Sequence, residues 1–267
     1  MKTVRYTDPL HDDFAGNSIR TKPVTKGFRF APDSRLWRVR SALVYYLIAL
    51  PIVWVVSKVY LGVRFKNRRA LRKLPRGQGF FLYGNHTRAL DAFVPPLAAF
   101  PRKAYTVANP DVVSIPGLRR LVQLLGALPL PTELSAMPEF MAAMARRFRE
   151  KSCIAIYPEA HIWPFYTGIR PFQSASFRYP VRAGAPVIAM VTTYRRRRGL
   201  FRFCRRPGMT VTLSDPMTAD PSLSPRAAAE DLRARAYAFM LHVSQTEENV
   251  EYIRYEQACA DSAAAEE

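Results

Sequence analysis

Apolar positions along this chain fall into three patterns. The longest is an uncharged run from Ala42 to Ser57, ALVYYLIALPIVWVVS, which resumes past Lys58 as VYLGV. A second kind is short and continuous: Gly79–Tyr83, Lys103–Ala108, Leu124–Leu130, Cys153–Glu159, Ala185–Thr193 and Met209–Ser214 read as strands by length and by aromatic or β-branched content. The third has helical spacing and covers Asp91–Phe100, Ile115–Leu125, Ser135–Lys151 and Pro225–Tyr255, the last with Ser224 as its N-cap. In Ser135–Lys151, Met137, Phe140, Met141, Met144 and Phe148 form one stripe, with basic residues gathered at the end where they suit the helix dipole. Methionines in such a stripe fill core gaps. Strand, helix, strand order predicts an α/β sheet. Residues 1–34 are polar and broken by Pro9, Gly16, Pro23, Gly27 and Pro32, so they predict an irregular basic arm; the tail from 256 to 267 is expected to be frayed.

The long apolar run, set within residues 35–63, predicts a membrane anchor. Its sixteen uncharged residues are short of the about 20 that a single span requires, and Pro51 lies near the middle. Arginines and lysines flank it on both sides, Arg35, Arg38 and Arg40 before it and Arg64, Lys66 and Arg68 after it. A single crossing leaves one flank poorer in positive charge. The symmetric flanks therefore favour a helix pair hinged at Pro51, entering one leaflet and returning to the cytoplasmic face; a single tilted span is the alternative. Tyr45, Tyr46, Trp54 and Tyr60 have the interfacial preference of a membrane segment rather than of a core helix.

Composition narrows the class. The chain has 267 residues, 40 Lys+Arg against 21 Asp+Glu, and room for one sizeable domain, residues 64–255, beyond the anchor. Such a balance attracts polyanions, either nucleic acid or an anionic membrane surface. Cys153, Cys204 and Cys259 are scattered and odd in number, which points to a reducing compartment without a disulfide framework or metal site. No short apolar core with a small-residue cleavage site follows Met1, so a removable signal peptide is not expected.

Candidate chemistry centres on Gly84-Asn85-His86-Thr87-Arg88-Ala89-Leu90-Asp91, directly after the Gly79–Tyr83 strand. Five residues of helix would turn Asp91 roughly 140° away from His86, so the two meet only if the intervening residues form a turn and the helix begins near Leu90. A carboxylate on one ring nitrogen fixes the tautomer and leaves the other free to take a proton from a hydroxyl. A second acid, Glu159, stands at the far end of the Cys153 strand, where acids in α/β sheets line the ligand crevice.

Taken in order, these residues resemble the glycerolipid acyltransferases, the 1-acylglycerol-3-phosphate acyltransferase superfamily. Asn85-His86, four residues and Asp91 are similar to its NHx4D block, Tyr157-Pro158-Glu159 to its aromatic-Pro-Glu block, and Ala185-Pro186-Val187-Ile188 to a later apolar block, over residues 40–215. The resemblance implies a mixed sheet flanked by helices, with His86 as general base, Asp91 as its orienting partner, and Asn85 and Glu159 on the substrate side. It also implies acyl transfer from acyl-CoA or acyl carrier protein to a lysolipid hydroxyl, foremost 1-acylglycerol-3-phosphate in phospholipid biosynthesis. No cofactor is expected beyond the thioester co-substrate, and membrane lipids rather than nucleic acid are the expected partners.

Two departures stand out. Pro131 replaces an arginine that in the family contacts the acceptor phosphate, and Ala160-His161-Ile162 replaces the Gly-Thr-Arg after the glutamate. Arg88 and Arg170 are the candidate substitutes, because a guanidinium binds phosphate bidentately; His161 is read as a hydrogen-bonding wall of the site. The alternative is a different acceptor, another lysolipid or a glycolipid. The run Arg195–Phe203 would suit nucleic acid or an anionic bilayer equally, or a solvated hairpin loop, and a non-catalytic membrane-binding relative is a further alternative. A serine hydrolase is disfavoured because the chain holds no Gly-x-Ser-x-Gly, and no spacing resembles HExxH.

Overall fold

A computed structural model of the protein describes residues 2–16, 19–30, 32 and 34–258. The strands are β1 (Lys2–Tyr6), β2 (Arg64–Lys66), β3 (Phe80–Gly84), β4 (Ala104–Ala108), β5 (Ala127–Pro129), β6 (Cys153–Ile156), β7 (Val187–Arg195), β8 (Gly208–Leu213) and β9 (Ile253–Gln257). Seven of them form the expected mixed sheet, in the order β2-β8-β7-β3-β6-β4-β5. Of its strand pairings among the described residues, β7/β8 is antiparallel and the others are parallel.

The continuous apolar strands follow from a sheet covered on both faces. Phe81, Tyr83, Ile154 and Val187 point into one core, beneath the helices Met137–Arg149 and Pro225–Thr246. Phe80, Leu82, Cys153 and Ile188 point into the other, against Val94 and Ala98 of the helix Ala89–Ala99. β3 lies at the centre of the sheet, so the residue that follows it is held from both sides.

The apolar segment is one helix, Arg35–Tyr60, and not a hinged pair. Its helical turns widen over Val44–Ala49, where the Leu50 N–H reaches back five residues to the Tyr45 carbonyl. Pro51, which has no N–H to donate, follows directly on these widened turns, and the helix continues through it. The helix lies along the domain rather than projecting from it. Ser41, Tyr45, Val53 and Ser57 are buried, four positions spread over about 24 Å of helix. The Ser41 hydroxyl donates to Leu124 O at 2.7 Å, the Tyr46 hydroxyl donates to Pro101 O at 2.9 Å, and the Ala104 N–H donates to the Tyr45 hydroxyl at 3.0 Å. The other face leaves Leu43, Leu47, Ile48, Ile52, Trp54 and Val59 exposed.

Both chain termini depart from expectation. Residues within the supposed irregular arm form β1, which pairs in parallel with β9. The last helix ends at Thr246 rather than Tyr255, because tertiary contacts capture the residues after it. The Glu247 carboxylate accepts from Thr212 and pairs with Lys66 at 3.0 Å, and the Asn249 side chain accepts the Tyr194 N–H at 3.1 Å. The two terminal strands close on Trp163, whose ring stacks on Tyr255 and meets Tyr6 and Phe14. Cys259 and most of the tail expected to fray lie outside the described residues.

Candidate active site

The end of β3 sets the geometry. A Cβ on Gly84 would come 2.8 Å from Met190 Cε and 2.9 Å from Tyr157 Cε1, so glycine lets two side chains close over the strand end. The Asn85 amide then spans the neighbouring strand: Nδ2 donates to Thr192 O at 3.0 Å and Oδ1 accepts the Thr192 N–H at 2.8 Å. Asn85 therefore fastens the start of the turn to β7, an anchoring role alongside the substrate role expected of it.

The turn brings His86 and Asp91 together in the way their spacing requires. His86 Nδ1 lies 3.2 Å from Asp91 Oδ2, and the same oxygen accepts the N–H groups of Thr87 at 2.6 Å and Arg88 at 2.8 Å. Asp91 sits in the first turn of its helix, facing the exposed backbone donors that a helix start presents. Its carboxylate is 1% exposed and the imidazole 18% exposed. With Nδ1 donating to a fixed carboxylate, Nε2 carries the lone pair, and the partly exposed ring can accept a proton from a bound hydroxyl.

Two further groups hold the imidazole. The Tyr157 ring stacks on it with centroids 4.5 Å apart, and the Tyr157 hydroxyl donates to Asp91 O at 2.7 Å. Thr87, next to the histidine, accepts from the Tyr194 hydroxyl at 2.8 Å. Sequence reasoning placed Tyr157 in a motif but assigned it no role; the aromatic just before Pro-Glu was the available signal. Tyr194 carried no signal, because strand β7 reads as uniformly core.

Glu159 and Arg170 form a buried pair behind this site. Glu159 accepts the His86 N–H at 3.2 Å and the Arg170 N–H at 3.2 Å, and Arg170 Nε lies 3.6 Å from its carboxylate. Burial pushes the Glu159 carboxyl up to about 7, opposed by the Arg170 charge and these two N–H groups. The guanidinium is further enclosed: it donates to Glu159 O at 2.9 Å, to His161 O and to Pro9 O, and lies 5.0 Å from the Trp163 ring. An arginine so enclosed and 1% exposed can reach an acceptor phosphate only by breaking these contacts.

Arg88 and His161 are placed differently. The Arg88 guanidinium lies 4.7 Å from the Phe165 ring and donates only a weak bond, 3.8 Å, to the Met209 sulfur; among the described residues it makes no ion pair. His161 Nδ1 lies 3.5 Å from Asp13 Oδ2, facing the amino-terminal segment. No group of His, Cys, Asp and Glu among the described residues could hold a metal ion.

Comparison with known proteins agrees with this geometry. A family model described as Acyltransferase matches residues 63–193, a span that contains both the His86–Asp91 turn and the Tyr157–Glu159 block. Among solved structures, the fold is similar to the 1-acyl-sn-glycerophosphate (LPA) acyltransferase PlsC from Thermotoga maritima. The TM-score is 0.54 at 15% identity, over 84% of this chain and 88% of that one. No protein of curated function matches the sequence significantly. With both blocks inside the matched span, residues 63–193 form an acyltransferase domain, and the chain is an acyltransferase enzyme.

Proposed function

We propose that this enzyme moves a fatty acyl group from acyl-CoA or acyl carrier protein to a lysolipid hydroxyl at a membrane surface, with 1-acylglycerol-3-phosphate as the leading acceptor. The observation that carries the reading is the 3.2 Å contact between His86 Nδ1 and Asp91 Oδ2 at the end of the central strand. His86 Nε2 takes the acceptor's hydroxyl proton as its oxygen attacks the thioester carbonyl, and Asp91 stabilises the resulting imidazolium. The tetrahedral intermediate expels the thiolate, which recovers the proton from His86, so no acyl-enzyme forms and no cofactor is consumed. General-base catalysis of this kind contributes about 10²–10⁴ in rate, and holding the two reactants together supplies much of the rest.

Arg88 is the proposed ligand of the acceptor phosphate, since its guanidinium stands beside the catalytic turn without an ion pair among the described residues. Glu159 acts from behind, fixing the His86 backbone. The exposed face of the helix Arg35–Tyr60 is proposed to rest in one leaflet, with the catalytic domain on the cytoplasmic side where thioester donors are found.

The second reading, a phosphate-free or glycosylated acceptor, is favoured by the enclosure of Arg170 and by Pro131 at the family's arginine position. An acyl-transfer assay in detergent micelles decides between them. Wild type and His86→Ala are offered labelled acyl-CoA with lysophosphatidate and with a panel of phosphate-free lysolipids. His86-dependent transfer to lysophosphatidate that weakens in Arg88→Gln supports the first reading. Transfer confined to the other acceptors supports the second, and no His86-dependent transfer to any acceptor rejects both.

A further inference from the structure

The connection between β7 and β8, residues 196–206, reads RRRGLFRFCRR and holds six arginines and no acid. Acyl transfer uses none of them. Yet the segment is fastened in place: Arg197 Nε donates to Arg206 O at 3.0 Å, Nη1 donates to Val59 O at 3.1 Å and Nη2 donates to Tyr60 O. Val59 and Tyr60 are the last residues of the long apolar helix, whose final carbonyls have no helical partner. Arg197 thus caps that helix with the hairpin's own charge. Arg195 adds a bond of 2.6 Å to Gly62 O, and the Arg206 guanidinium lies 5.4 Å from the Tyr60 ring.

What the hairpin presents outward is positive charge that makes no ion pair among the described residues, beside exposed rings; the Arg202 guanidinium lies 4.6 Å from the Phe203 ring. Phe201 is exposed and Phe203 is 80% exposed, and Arg196, Arg198, Arg202 and Arg205 are exposed around them. The nearby acid, Glu248, takes up the Arg196 N–H. A cleft of about 220 Å³ opens between Lys58, Arg64, Arg197, Arg198 and Phe201. Burial, then the like charges of Arg64, Arg197 and Arg198, lower the affinity of Arg195 for its proton, opposed by Glu248. Aromatic residues among arginines would also suit a single-stranded nucleic acid. Continuity decides: the hairpin extends the exposed apolar face that ends at Val59 and Tyr60, which a polyanion in water would leave uncovered and a bilayer would cover.

We infer that the hairpin 196–206 is a docking surface for an anionic bilayer, in which Phe201 and Phe203 enter the interface while the surrounding guanidinium groups meet lipid phosphates. This rests on the reading that the apolar helix face is membrane-bound. It adds selectivity for negatively charged leaflets and fixes the carboxyl end of that helix at headgroup depth.

Flotation of the full chain with vesicles of phosphatidylcholine, alone or mixed with phosphatidylglycerol, tests it. Each arginine near an anionic surface strengthens binding by roughly fivefold. A variant carrying Arg196→Gln, Arg198→Gln, Arg202→Gln and Arg205→Gln should lose roughly six hundredfold on the anionic vesicles. Its affinity for neutral vesicles should stay within about twofold, and added salt should erase the wild-type preference. An unchanged melting temperature establishes that the variant is folded, and Phe203→Ser should weaken binding to both vesicle types. Wild type floating equally with both vesicles overturns the inference alone, as does a quadruple variant that keeps the anionic preference. Wild type floating with neither overturns the membrane reading as well. Loss of single-stranded RNA binding in the quadruple variant, with flotation unchanged, assigns the hairpin to nucleic acid instead.

Discussion

The two signature blocks of this chain look alike in sequence, each a short strand that delivers an acid, yet they are built for different work. At the first, Asp91 is buried but its partner is an imidazole with an open edge, so the charge arrangement ends at a surface where a substrate can arrive. At the second, Glu159 faces a guanidinium that is itself enclosed by carbonyls and by the Trp163 ring. In the proposed reaction the first pair transmits a proton, and the second holds the first in position through the His86 N–H. The contrast teaches that an acid at a strand end is read correctly only with its partner's exposure.

The sharpest way to break this contrast is at His86. His86→Ala should lower kcat/KM by about a thousandfold while leaving the melting temperature within a few degrees, since only the proposed general base and a half-open ring are lost. Arg170→Met should do the reverse. Leaving Glu159 buried without its counter-charge should cost about 3 kcal/mol, read by denaturant unfolding at pH 8, and less at pH 6 where the carboxyl can hold a proton. A loss of activity at full stability would move Arg170 into the substrate site.

Titration separates the blocks further. Burial raises the Glu159 carboxyl from 4.5 to about 7, so the stability carried by its bound proton is fully present below 4.5 and disappears as the pH rises through 7. The melting temperature of the wild type should therefore fall from about pH 5 to pH 8 more steeply than that of Glu159→Gln; parallel curves would remove the raised carboxyl from the account. The smallest expected effect is at Tyr157→Phe, which keeps the stack on His86 and loses the bond to Asp91 O, a change worth about 1 kcal/mol. A few-fold fall in kcat with KM unchanged is expected from steady-state kinetics. A shift in KM alone would make Tyr157 a substrate contact.

Much of this fold was legible because local pattern and tertiary demand agree. The two-faced burial of β3, β6 and β7 appears in sequence as unbroken apolar runs, and the five-residue spacing of His86 and Asp91 already required the turn that is found. Legibility failed where distant residues decide the outcome. Nothing near Pro51 announces that widened turns will absorb it, so the helix reads as hinged. The segment after Thr246 has helical propensity, but Thr212, Lys66 and Tyr194 claim Glu247 and Asn249. Arg88 and Arg170 were equivalent in sequence, and only the ring and carbonyls around Arg170 distinguish them.

Two of the three tryptophans occupy opposite environments, Trp54 55% exposed on the outer helix face and Trp163 1% exposed within the ring of terminal aromatics. The molecule therefore carries its own pair of optical probes. Lipid contact should blue-shift Trp54 emission and expose it to brominated acyl chains while Trp163 is unaffected. Loosening of the terminal strands should red-shift Trp163 alone, so in a Trp37→Phe variant, which removes the third tryptophan, binding and local unfolding can be followed separately in one unlabelled sample.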